Sequence, residues 1–109
     1  MVLAQNGADV AVADVNVENA QGVAAEVAEL GRRSLAVALD VTDQESAERM
    51  AGEVIDRLGR IDILVNNAGV IGAQGWEQLE WPNDDDWDFV FAVNVKGISR
   101  VTDAVAPHM

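Results

Sequence analysis

The chain has 109 residues, half of them apolar, and a formal net charge of −12. No apolar run approaches the ~20 residues that a helix needs to cross a bilayer and no secretory leader is visible, so one domain in the cytoplasm is the expectation. The acidity argues against nucleic acid and membrane as partners, since both are met with basic surface; with no cysteine and a single histidine, there is no disulfide framework and no Cys- or His-rich metal site.

Residues 1–6 read as the tail of a helix closed by Gly7. Residues 10–13 form a short strand ending at Asp14. Asn16 caps a helix whose apolar stripe is Ala20, Val23, Ala24, Val27 and Leu30, with Gly31 just past its end. Residues 35–39 form a second strand, ending at Asp40. Thr42 and Glu45 have the spacing of a capping box, with Thr42 as the cap. The helix they open carries Ala47, Met50, Val54 and Leu58 and stops at Gly59. Residues 61–65 read as a third, buried strand.

After a loop, Asn83 caps a long helix over residues 83–106. Its stripe is Trp87, Phe91, Asn94, Ile98, Val101 and Val105, and Pro107 marks its end. Asp84, Asp85 and Asp86 fall in its first turn, where the positive end of a helix favours acids, and this reading is preferred to a metal site. Apolar strands alternating with amphipathic helices predict the α/β class, with a parallel sheet covered on both faces.

Ligands of open parallel sheets bind beyond the carboxyl ends of the strands. Asp14 there could accept hydrogen bonds from ribose hydroxyls, or could simply form a turn. Asp40 could meet an adenine edge, though alone it reads as a turn acid before a helix. At the third strand end, Asn66 and Asn67 bring amides that need partners. Ala68 and Gly69 then let a flat ligand approach the backbone, which favours a binding role. Asn94 interrupts an apolar stripe. Unpaired, a buried amide costs about 1–3 kcal/mol, so Asn94 is expected to bond backbone or water. Gly97, one turn on, permits close approach or a kink.

Taken together, "NNAG" at 66–69 and "NVKG" at 94–97, with "ADVN" at 13–16 and "DVTD" at 40–43 in order, resemble the short-chain dehydrogenase/reductases. The resemblance runs through the whole chain. It implies a partial doubly wound Rossmann-type parallel sheet: strands 2, 3 and 4 of the family's dinucleotide domain with their helices, the first strand and the carboxyl-terminal strands being absent. Strand 1 of that order lies between 2 and 4, so both would carry an unpaired edge.

The resemblance also implies roles. Asp14 is the ribose acid, favouring NAD over NADP. Asp40 and Val41 flank the adenine, while Asn66, Ala68 and Gly69 contact the cofactor and Asn67 braces the sheet. Asn94 matches the Asn of the catalytic Asn-Ser-Tyr-Lys set. The implied reaction is hydride transfer between NAD and a secondary alcohol or ketone.

Two departures bear on activity. The glycine-rich turn would lie about 20 residues before Asp14, ahead of Met1. The Ser and the Tyr-x-x-x-Lys have no counterpart, and the chain holds no tyrosine. The 109 residues alone are therefore expected to be inactive. The alternatives are a non-catalytic remnant acting in binding or oligomer contacts, or a defunct fragment. Trp76, Trp81 and Trp87 would line a substrate site or pack against a neighbour. The long helix is expected to meet its copy in a homodimer or homotetramer through Val90, Val93 and Ile98.

Overall fold

The computed structural model describes residues 2–66 and 84–109. Asn67, Ala68, Gly69, Trp76, Trp81 and Asn83 lie outside the described residues.

Helix α1 (Val2–Gln5) ends where Gly7 takes φ +97°, a left-handed conformation that favours glycine. Strand β1 (Val10–Asp14) follows. Helix α2 (Val17–Glu29) starts at Asn16, whose side chain accepts the Asn19 N–H at 3.3 Å, as the sequence predicts. It buries Ala20, Ala24 and Val27 and packs on both strands, with Gly31 just beyond its end. Strand β2 (Ser34–Ala38) lies parallel to β1, with Val10 opposite Ser34 and Asp14 opposite Ala38. Together they form a two-stranded parallel sheet with α2 as the crossover, which is the predicted α/β class.

Helix α3 (Gln44–Leu58) corrects the predicted capping box. Its cap is Asp43, whose Oδ1 accepts the Glu45 N–H at 3.1 Å. Thr42 is occupied elsewhere: its hydroxyl donates to Asp40 Oδ1 at 2.6 Å. A bond to a carboxylate outweighs the neutral bond a threonine cap would make. The helix buries Ser46, Ala47, Met50, Ala51 and Val54 and stops at the left-handed Gly59.

The third strand is the second correction. Residues 61–66 join no ladder among the described residues. Ile61 and Leu64 pack against the core, but Ile63 and Val65 are 69% and 63% exposed. A strand exists only with a hydrogen-bonded neighbour, and no described segment lies alongside to supply one. The apolar run carries the residues of a buried strand without the pairing that would bury it.

The long helix is the third correction. It is α4 (Asp84–Phe91), a π-helical turn (Ala92–Lys96) and α5 (Gly97–Val105), followed by a 3-10 turn (Ala106–His108) around Pro107. A π turn closes i→i+5 bonds and so carries one extra residue. Each residue advances an α-helix by about 100°, so the turn rotates the upstream stripe away from the downstream one. Accordingly Gly97, Val101, Ala104 and Val105 are buried, whereas Trp87 and Phe91 are about half exposed and stack on each other at 6.1 Å between ring centroids. Ile98 is also exposed.

The main core gathers Val37, Leu39, Met50, Val54, Val101 and Val105, with Leu35 packed against it. Residues 35, 37 and 39 share one face by the period of two of a strand, so α3 and α5 cover that face and α2 covers the other. At the amino ends of the strands, Asp9 ties the start of β1 to the start of β2. Its carboxylate accepts the Arg33 N–H and Nε at 3.0 Å each and pairs with Arg32 and Arg33 Nη2 at 2.9 Å. The Arg33 backbone bond leads in holding the Asp9 carboxyl below its ordinary pKa, against some desolvation. Among the described residues no helix is long and apolar enough to cross a membrane.

Candidate functional site

Parallel pairing brings the carboxyl ends of β1 and β2 side by side, where the Leu39 N–H donates to Asp14 O at 3.0 Å. Asp14 is half-buried, and its Oδ1 accepts the Asn16 N–H at 3.0 Å. That bond shapes the turn into α2 and leaves Oδ2 without a hydrogen bond among the described residues. The turn reading and the ribose reading of Asp14 are therefore compatible.

Asp40 lies two residues past β2. Its Oδ1 accepts both the hydroxyl and the N–H of Thr42, at 2.6 and 2.9 Å, and its own N–H donates to Ser46 Oγ at 2.9 Å. The Thr42 hydroxyl, then the Thr42 amide, hold the Asp40 carboxyl below its ordinary pKa, with a smaller contribution from the Arg100 charge and against partial desolvation. Val41 packs against the core and sits directly over Gly97. A Cβ built on Gly97 would fall 2.8 Å from Val41 Cγ2.

Asn66 is exposed, not buried at a strand end, because the segment that carries it lacks a ladder. Its Nδ2 donates to Thr102 Oγ1 on α5 at 3.4 Å. Asn94 stands inside the π turn, half-buried rather than buried, and it has a partner. Arg100 reaches from α5 to both sides of the site: Nη1 donates to Val41 O at 3.4 Å and to Ala92 O at 3.3 Å.

The far edge of β1 completes the geometry. Residues of a parallel strand alternate between its two neighbours. The Val10 N–H to Arg33 O and Leu39 N–H to Asp14 O bonds put Val10, Val12 and Asp14 on the β2 side. Ala11 and Ala13 thus turn their N–H and C=O groups to the opposite edge. An open groove of about 1170 Å³ borders it, lined by Ala11 and Ala13 of β1, by Ile61, Leu64, Val93 and Val101, and by Asp14, Asp40, Val41, Thr42 and Asn66. The groove brings together four of the predicted site residues: Asp14, Asp40, Val41 and Asn66. Asn94 does not line it, although its neighbour Val93 does. Ala68 and Gly69 fall outside the described residues. Among the described residues no group of three His, Cys, Asp or Glu could hold a metal ion.

Sequence reasoning missed Ser46, Arg100 and Thr102. Ser46 had a weak signal, being a hydroxyl in the first turn of a helix just after an acid turn. Arg100 and Thr102 had none, because their reach depends on the rotation that the π turn imposes.

Parallel strands, helices on both faces and polar residues gathered at the carboxyl ends define a Rossmann-type α/β unit. The chain belongs to the short-chain dehydrogenase/reductase family of oxidoreductases, matching the family model described as "short chain dehydrogenase" over residues 1–109. It is 43% identical over 105 residues to a sorbitol dehydrogenase of Cereibacter sphaeroides, covering 96% of this chain and 39% of the relative. It superposes on NAD+-bound xylitol dehydrogenase with a TM-score of 0.86 at 33% identity, covering 97% of this chain and 40% of that one. An alcohol dehydrogenase from the archaeon Thermococcus sibiricus, complexed with 5-hydroxy-NADP, gives 0.84 at 27% identity, covering 97% and 44%. The chain thus spans about two fifths of the length of the relatives it matches.

Proposed function

We propose that these residues form the amino-terminal to middle part of the cofactor site of an NAD-dependent oxidoreductase that interconverts a secondary alcohol and a ketone. The observation that carries this reading is that Asp14, Asp40, Val41 and Asn66 line a single groove, the first three at or just beyond the carboxyl ends of the paired parallel strands. Asp14 offers Oδ2 to ribose hydroxyls, and its charge disfavours a 2′-phosphate, hence NAD over NADP. Asp40 and Val41 flank the adenine. Asn66, Ala68 and Gly69 form the cofactor-contacting end of the central segment, and Asn94 is the catalytic-set asparagine. When bound, the nicotinamide supplies or accepts the hydride. The polyol dehydrogenases among the relatives support a hydroxylated small molecule as substrate. Of the expected face for a homodimer or homotetramer contact, Ile98 is exposed and supports a contact between copies, whereas Val90 and Val93 are half-buried.

The 109 residues contain no tyrosine to donate the proton, so this chain alone does not turn over. The test is a chimera in which residues 1–109 replace the matching segment of the Cereibacter sphaeroides sorbitol dehydrogenase. It is expected to retain NAD-linked alcohol oxidation. Asp14→Ala should lower the preference for NAD over NADP, and Asn94→Ala should lower kcat. A folded chimera without cofactor-dependent activity would refute the reading.

A further inference from the structure

We propose that Arg100 is a positioning residue that locks the Asp40–Val41 turn to the π turn carrying Asn94. The inference takes its functional meaning from the cofactor-site reading above, but its structural content stands on contacts alone. An Arg Nη carries two hydrogens, so Nη1 can serve two carbonyls at once. Here the two belong to different elements: Val41 O in the turn after β2 and Ala92 O at the opening of the π turn. Val41 is held a second time by its side chain, which fills the space over Gly97, the first residue after the π turn. One residue of the predicted adenine flank is thus gripped through its carbonyl by Arg100 and through its methyls by Gly97. Both grips come from the stretch that sets the rotation of Asn94.

Because Arg100 is only partly buried and its charge also bears on Asp40, it joins three parts of the site without lining the groove itself. Movement of the 40–42 turn on either side of an adenine would therefore be felt at residues 92–97. The stem of Arg100 alone could not do this. A methionine would keep the packing and lose both bonds.

Backbone amide exchange read by NMR on the cofactor-free chain tests the clamp. Arg100→Met should speed exchange about tenfold at residues 42–43, whose amides bond to Asp40, and at residues 96–97 together, the scale of losing a charged hydrogen bond. Amides 12 and 37 in the sheet should keep their protection. Arg100→Lys should fall between wild type and Met at both segments. Thr42→Val, which loosens the Asp40 turn, should disturb residues 96–97 more when Arg100 is present than when it is replaced by Met, where only the Val41–Gly97 contact is left to carry the effect.

Acceleration at one segment only, or at neither, overturns the proposal. So does a Thr42→Val effect that is the same in both backgrounds. If Arg100→Met loses protection throughout, Arg100→Lys carries the test by the same criterion of joint or single acceleration. No cofactor enters the measurement, so a failed clamp leaves the oxidoreductase reading standing, and an inactive chimera leaves the clamp standing.

Discussion

Gly97→Ala opposes two effects of similar size at the contact between α5 and the Asp40–Val41 turn. Alanine in a helix is favoured over glycine by about 1 kcal/mol. Against this, the new Cβ would lie 2.8 Å from Val41 Cγ2, 3.0 Å from Val41 Cβ and 3.3 Å from Ala92 O, at a buried position. Rotating Val41 relieves the first contact but not the second, and the third is backbone. Overpacking of this kind costs about 1–3 kcal/mol. The clash should therefore match or exceed the helix gain, for a net destabilisation of about 0–2 kcal/mol. On a chain of this size, each kcal/mol lowers Tm by roughly 4–8 °C.

A double-mutant cycle separates the terms. Val41→Ala removes the 2.8 Å contact and leaves the 3.0 Å one, so Gly97→Ala should cost about 1 kcal/mol less in that background. Urea denaturation of the four proteins gives the cycle. If Gly97→Ala raises stability by the full helix-propensity amount, equally with and without Val41, the close packing of this turn on α5 is refuted.

Ser46→Ala removes the buried hydroxyl that accepts the Asp40 N–H in a part-buried bond and should cost about 0.5–1.5 kcal/mol, read by urea denaturation. Asp9 has its pKa lowered by folding, so it contributes stability in full above its ordinary value of 3.8, lost as pH falls through the lower folded value. Denaturation from about pH 6 to about pH 2 should show this loss and Asp9→Asn should remove that part of the slope; an unchanged slope would exclude Asp9 as its source. Ala13 is exposed on the edge of β1 that has no strand partner among the described residues. Ala13→Lys should lower concentration-dependent self-association in sedimentation, because charge blocks edge-to-edge pairing; no change would exclude that edge as the contact.

The elements that local chemistry decides were legible. Asn16 caps α2, Gly7 and Gly59 end α1 and α3 in left-handed conformations, and the acids at 84–86 occupy the first turn of α4. Where two local signals competed, the sequence was ambiguous: Thr42 has the spacing of a cap, yet Asp40 two residues earlier offers its hydroxyl a charged acceptor. The π turn was invisible in pattern, since the stripe from Trp87 to Val105 keeps helical spacing throughout. Gly97 was the one clue to it. The nearness of Asp14 to Asp40 and Val41 was legible from topology, because the parallel pairing of β1 and β2 brings their carboxyl ends together; Asn66 lines the same groove without a ladder to place it. The reach of Arg100 was not, because it depends on rotation and not on spacing.

The two halves of the candidate site are built with unequal firmness, and this yields the sharpest test of the fold. The turns at Asp14 and Asp40 are fixed by short bonds to Asn16, Thr42 and Ser46 and by packing on Gly97. Asn66 hangs on a segment anchored by Ile61, Leu64 and one 3.4 Å bond to Thr102, with no ladder on either side among the described residues. Amides outside a ladder open locally at little cost, whereas ladder amides exchange only through larger opening. Amides 63 and 65 should therefore exchange at close to unstructured rates, and amides 12 and 37 far more slowly. Equal protection at Val12 and Val65 would mean that the 61–65 segment is paired in solution. Its apolar side chains would then be buried by a strand neighbour on the β1 edge, and the open groove would not describe the solution state.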